Sequence, residues 1–168
     1  MSMVMYLRRA SEADIARIEE DSAAAVRFAF EEGDQSQDLV DFDVAWDAVH
    51  FMLCSDTRDS DHPLGIIACV LPEVGLDANG LGAFSVISPA AMKRFAEALD
   101  AISDDELARR YDPPAWFAAD LYRRDMFVED GVENSPETRA YVMQSIPALQ
   151  RLASSCAANG EGAIRLLR

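Results

Sequence analysis

"AFSVISPAAMKRFAEALDAI", residues 83–102, is where the periodicity of the chain changes. Ala83 to Ile87 alternate and end on the β-branched Val86 and Ile87, so they read as a strand. Ser88-Pro89 is a helix start. The serine oxygen can accept from an orphan amide of the first turn, and proline's locked φ suits the first helical position. Met92, Phe95, Ala96, Leu99 and Ile102 then recur at intervals of three and four, the stripe of a helix facing a core. A strand that runs directly into an amphipathic helix makes this a mixed fold. What surrounds it decides which kind.

Upstream, "MVMYLRR" gives a strand over Val4 to Arg8. Ser11-x-x-Asp14 opens a helix with Ser11 as N-cap. Ile15, Ile18, Ala25, Val26, Ala29 and Phe30 continue it toward Gly33. "GDQSQD" is a turn. Asp41 or Asp43 then caps a helix that reaches about Cys54. "SDTRDSDHP" is a polar loop. "LGIIACVL", residues 64–71, fits a strand by length and a helix by the spacing of Leu64, Ile67, Ala68 and Leu71; so short an apolar run leaves both open. "EVGLDANGLG" reads as loop. Downstream, Ser103-x-x-Glu106 opens a short helix to Arg110, and Asp112-Pro113 opens another carrying Trp116, Phe117 and Leu121. "VEDGVENS" is loop. A long helix runs from about Pro136 to Ala158, kinked or split at Pro147. "ANGEG" caps it, and "AIRLL" is a final strand. No regular βαβ alternation emerges. The expectation is a single α+β domain over residues 1–168, with a small sheet of about three strands covered by five to six helices.

A chain of 168 residues, half of them apolar, buries a core without staples. Cys54, Cys69 and Cys156 have neither metal nor redox spacing, which fits a reducing compartment. No apolar run approaches a membrane span, and "YLRR" stands where a secretory leader needs apolar residues. The expected location is cytoplasmic. A formal charge of −15 repels nucleic acid and anionic membranes. Residues 31 to 61 concentrate that charge, with ten acids against Arg58. This segment either solubilises the chain or steers a basic protein partner. Asp34, Asp38 and Asp59 are its candidate contacts, with Trp46 as a candidate anchor.

"DFDVAWDAVHFML", residues 41–53, holds the other candidates. On a helix, Asp43, Asp47, His50 and Cys54 share one side, with Trp46 at its edge. His50 could act as a general base oriented by Asp47 or Asp43. The bland reading has first-turn acids stabilising a helix, a packed histidine and a core tryptophan. The spacing is less specific than a His-Glu-x-x-His motif, so neither a metal nor a cofactor is expected. Cys69 reads as inert core and His62 as solvated. "ANGLG" lacks the lysine of a phosphate loop, and Ser85 and Ser88 lack a nucleophile elbow. Tyr111 and Trp116 flank a proline turn and read as packing residues.

The succession "FDVAWDAVHFML", "HPLGIIACVL" and "SVISPAAMKRFAEALDAISDDELARRYDP", followed by a long helix and a short strand, resembles the YfbM-like family of bacterial proteins. The most specific part runs from Asp43 through Trp46, His50 and Phe51 to Leu53. The resemblance covers nearly the whole chain. It implies a fold and a bacterial cytosolic origin, and it implies no reaction. Two functions stand on the residues. One is an acidic interaction module, immunity-like or antitoxin-like by analogy of charge. The alternative is a small-molecule enzyme or ligand binder using Asp43, Asp47 and His50. The absence of any catalytic signature favours the first.

Overall fold

Three strands lie side by side at the centre of the sheet: β1 (Met5–Ala10), β4 (Ala83–Ile87) and β5 (Gly162–Leu167), in the order β1-β5-β4. These are the strands that the alternation of the sequence picks out. A computed structural model describes residues 2–32, 38–76, 83–128 and 135–168. It adds an edge strand on each side, β2 (Leu39–Asp43) beside β1 and β3 (Glu73–Leu76) beside β4. The sheet thus has five strands where about three were expected, and every pairing is antiparallel. The fold is α+β.

Alternation along the strands sends side chains to two cores. Met5, Leu7, Val40, Phe42, Ile87 and Ala163 belong to the larger one. It is filled from α3 (Trp46–Cys54), α4 (Pro89–Asp100), α5 (Asp104–Arg109), α6 (Pro113–Ala118), α7 (Asp125–Val128), α8 (Pro136–Met143) and α9 (Ile146–Asn159). Phe84, Ile164 and Leu166 face the other way, onto α1 (Glu12–Glu20) and α2 (Ala24–Phe30), where Ile15, Ile18, Ala25 and Phe28 meet them.

The caps read from the sequence are present, except the one expected at Asp41 or Asp43. Ser11 and Asp14 form a reciprocal capping box at α1. Ser88 accepts from the Ala91 amide, with Pro89 in the first turn of α4. Ser103 accepts from the Glu106 amide at α5. Asp112 accepts from the Ala115 amide at α6. Pro147 falls in the first turn of α9, so the expected long helix is split there. Gly160 ends α9 with φ 65°, a left-handed conformation that glycine adopts without steric cost.

Five expectations are corrected. The helix expected across residues 11–30 breaks at Asp21 into α1 and α2. Asp41 and Asp43 are not helix caps. They lie in β2, and α3 starts at Trp46 without a side-chain cap. Glu73–Leu76 is strand, not loop. Residues 64–71 are neither strand nor helix but a run of turns, with the Gly65 amide on the His62 carbonyl at 2.9 Å and the Cys69 amide on the Gly65 carbonyl at 3.2 Å. Nine helices among the described residues replace the expected five to six, because turns break up the longer segments. The loops expected at 33–37, 77–82 and 129–134 lie outside the described residues.

Candidate functional site

Asp43 does not join the helix face on which the sequence places it. It closes β2 with φ 49°, the backbone turn that frees the chain to start α3. Its carboxylate accepts from the Tyr141 hydroxyl at 2.9 Å. Burial, reinforced by that carboxylate, pushes the Tyr141 phenol up to about 12.

Asp47 is buried, 4% exposed, in the first turn of α3. One oxygen accepts from Arg58 Nη2 at 2.8 Å and the other from the Tyr122 amide at 2.8 Å. The carboxylate therefore ties two distant loops to one helix. Trp46 beside it stacks on Tyr122 at 5.4 Å and donates to the Met3 carbonyl at 3.2 Å. The Met3 amide in turn donates to the Tyr122 hydroxyl at 2.5 Å. Trp46 is thus a core residue that clamps the start of the chain.

His50 is completely buried. Its Nε2 lies 2.7 Å from the Thr57 carbonyl, and the Ala68 amide donates to Nδ1 at 3.3 Å. Those partners require a neutral ring protonated on Nε2, since a carbonyl can only accept and an amide can only donate. Desolvation lowers the His50 pKa, aided by the cations Arg58 and Arg165 and opposed by the Thr57 carbonyl and Asp47. Neither Asp43 nor Asp47 hydrogen-bonds to the ring. Cys54 packs 3.5 Å from both ring nitrogens, and burial pushes its thiol up to about 12. A thiol that holds its proton so firmly is a poor nucleophile and a poor ligand. Among the described residues no three His, Cys, Asp or Glu side chains gather as a metal site would need.

Of the acidic candidates, Asp38 pairs with Arg9 at 2.8 Å and Asp59 is exposed. Asp34 lies outside the described residues. Cys69 is buried, as expected. Trp116 packs edge-on against Tyr111 at 4.9 Å and Phe127 at 5.4 Å, in line with its reading as a packing residue.

The chemistry that sequence reasoning passed over sits on the sheet. A cavity of about 340 Å³ opens against its larger-core face, with Trp46 and Leu167 in its walls and Arg58, Ser85 and Arg165 as polar lining. Arg165 projects from β5, the central strand, and Nη1 donates to the carbonyls of Ile66, Ile67 and Cys69 at 3.2, 2.9 and 2.9 Å. It supplies donors to a segment that makes no helix. Burial pulls its pKa below the ordinary arginine value. One signal was available in the sequence: in "AIRLL" an arginine occupies an inward position of the alternation.

The molecule is therefore an α+β domain with an antiparallel sheet covered on both faces, and its buried polar residues hold loops together. A family model described as "Domain of unknown function (DUF1877)" matches residues 1–165, and the chain belongs to that family. The crystal structure of YfbM from Escherichia coli, described as a protein of unknown function, aligns over 98% of this chain and 99% of that chain. The TM-score is 0.66 and the identity 14%, so the likeness is one of fold. The resemblance carried by Asp43, Trp46, His50, Phe51 and Leu53 is borne out by both. No curated protein matches the chain.

Proposed function

We propose that the protein is an acidic protein-interaction module that docks a basic protein partner through the loop after α3. The observation that carries this reading is that Asp56, Asp59 and Asp61 are all exposed, and no ion pair neutralises them among the described residues. Three other acids of the 31–61 segment are engaged: Glu32 with Arg17, Asp38 with Arg9 and Asp47 with Arg58. Glu31 and Asp41 are exposed without an ion pair among the described residues, but they stand singly, whereas Asp56, Asp59 and Asp61 share one loop. Val70, 75% exposed, donates its amide to the Arg58 carbonyl and places an apolar contact beside those acids. Charge of one sign with an apolar neighbour suits a steered encounter followed by desolvated contact. The catalytic alternative draws no support from the geometry, because Asp47 and His50 spend their polar atoms on protein partners and Asp43 holds Tyr141 rather than the His50 ring.

The test is capture from lysate of the source cell at about 0.05 M and about 0.5 M salt, where the screening length falls roughly threefold. Wild type should retain basic proteins at the lower salt and release them at the higher. A triple variant, Asp56→Asn, Asp59→Asn and Asp61→Asn, should retain none while folding normally. Identical capture by both proteins at both salts would reduce the loop to a solubilising surface.

A further inference from the structure

Arg165 stands in a row of side chains that runs across the sheet. Leu7 of β1 and Ser85 of β4 are its register partners on either side, and Glu73 of β3 lies beyond Ser85. A guanidinium carries five N–H donors. The two on Nη1 are shared among three carbonyls. Nη2 makes one long contact, to Ser85 Oγ at 3.4 Å, and Nε donates to nothing among the described residues. Nε and Nη2 form the side-on edge of the fork, the edge that takes a carboxylate in two parallel hydrogen bonds. No carboxylate within ion-pair distance occupies it among the described residues; Glu73 attracts the guanidinium only from farther away and leaves that edge without a hydrogen-bonded counter-charge.

Arg165 and Ser85 both line the 340 Å³ cavity, whose apolar walls include Trp46, Leu71 and Leu167. The second arginine there, Arg58, is already committed to Asp47. Glu73 also lines the cavity and disfavours a second negative charge. We propose that this cavity binds a monocarboxylate with an apolar body, its carboxylate seated on Nε and Nη2 of Arg165 beside the Ser85 hydroxyl. The cavity shares Arg58 and Val70 with the docking surface, but the inference stands on Arg165 and Ser85 and does not rest on the docking reading. The same carboxylate chemistry could belong to a free small acid or to the C-terminus of a peptide.

The experiment is an NMR titration of the whole chain with four probes: phenylacetate, its neutral analogue phenylacetamide, the peptide Gly-Gly-Ala-Phe with a free C-terminus, and the same peptide amidated. The Arg165 Nε–H resonance is the primary readout. A purely loop-supporting arginine would not respond to added acid. The expected result is a saturable shift with a free-acid probe and at least a tenfold weaker response to its amide, about 1.4 kcal/mol in binding. A tighter response to phenylacetate identifies a small acid as the ligand, and a tighter response to the peptide identifies a chain terminus. Arg165→Met also removes the bonds to the Ile66, Ile67 and Cys69 carbonyls and so tests loop support and binding together; two further variants separate them. Ala83→Phe fills the cavity and leaves Arg165 in place; Ser85→Ala removes only the hydroxyl. Both should weaken binding. No saturable response to either acid up to about 20 mM, an equal response to acid and amide, or undiminished binding by Ala83→Phe would each overturn the proposal.

Discussion

Trp46 shows how much of this fold hangs on single side chains. Its ring stacks on Tyr122, its indole N–H holds the Met3 carbonyl, and 8% of it remains exposed. Truncation leaves a cavity and unties the chain start, so Trp46→Ala should cost about 3–5 kcal/mol. For a chain of this size that lowers the melting temperature by at least about 6 °C. Calorimetry decides it, and a shift of under about two degrees would remove Trp46 from the core. His50 adds a pH dependence. Its folded pKa lies below the roughly 6.5 of an exposed histidine, so the unfolded chain takes up the proton first as pH falls. The stability contributed by the neutral ring is therefore whole above about pH 6.5 and declines below it, toward the lower folded value. His50→Gln loses the packing at every pH but escapes this decline. Its stability deficit relative to wild type should shrink between pH 7.5 and pH 5 in urea unfolding. A deficit that stays constant would mean that His50 does not titrate differently in the two states.

At the scale of the element, β1, β4 and β5 were legible because each alternates for five or six residues and is bounded by a turn or a cap. The edge strands were not. In β2, Val40 and Phe42 point inward as a strand should, but only two residues separate Asp43 from Trp46, and the pattern merges with that of the helix. In β3 the run Glu73-Val74-Gly75-Leu76 is too short to show a period. The helix face that promised a site dissolved for a related reason. The partners of Asp47 and His50 come from Arg58, Tyr122, Thr57 and Ala68, which no local spacing connects to them. One junction carries a sharp prediction. A Cβ on Gly162 would sit 2.4 Å from the Ile87 carbonyl oxygen and 2.8 Å from Ile15 Cδ1. The backbone of β5 must move away from β4 to admit it. Gly162→Ala should therefore destabilise by about 1–3 kcal/mol, despite alanine's better backbone entropy. A variant as stable as wild type would show that the two strands separate freely there.

For the whole molecule the governing quantity is the formal charge of −15. Opposing it are ion pairs that sit at the surface: Arg9 with Asp38 and Glu161, Arg17 with Glu32, and Arg109 and Arg110 with Glu106. Exposed pairs of this kind contribute little, whereas self-repulsion acts across the whole surface when the screening length is long. That length is about 30 Å at 0.01 M salt and about 8 Å at 0.15 M. Adding sodium chloride over this range should weaken repulsion more than it weakens the pairs, and the melting temperature should rise. Sulfate is the wrong salt for the test, because it strengthens apolar burial by itself. The Asp56→Asn, Asp59→Asn, Asp61→Asn variant separates local from global repulsion. If the acidic loop is a main source of the strain, the variant should melt higher than wild type at low salt and respond less to added chloride. If the melting temperature of wild type falls as chloride is added, the surface pairs outweigh the net charge, and the acidic loop imposes no stability cost on the fold.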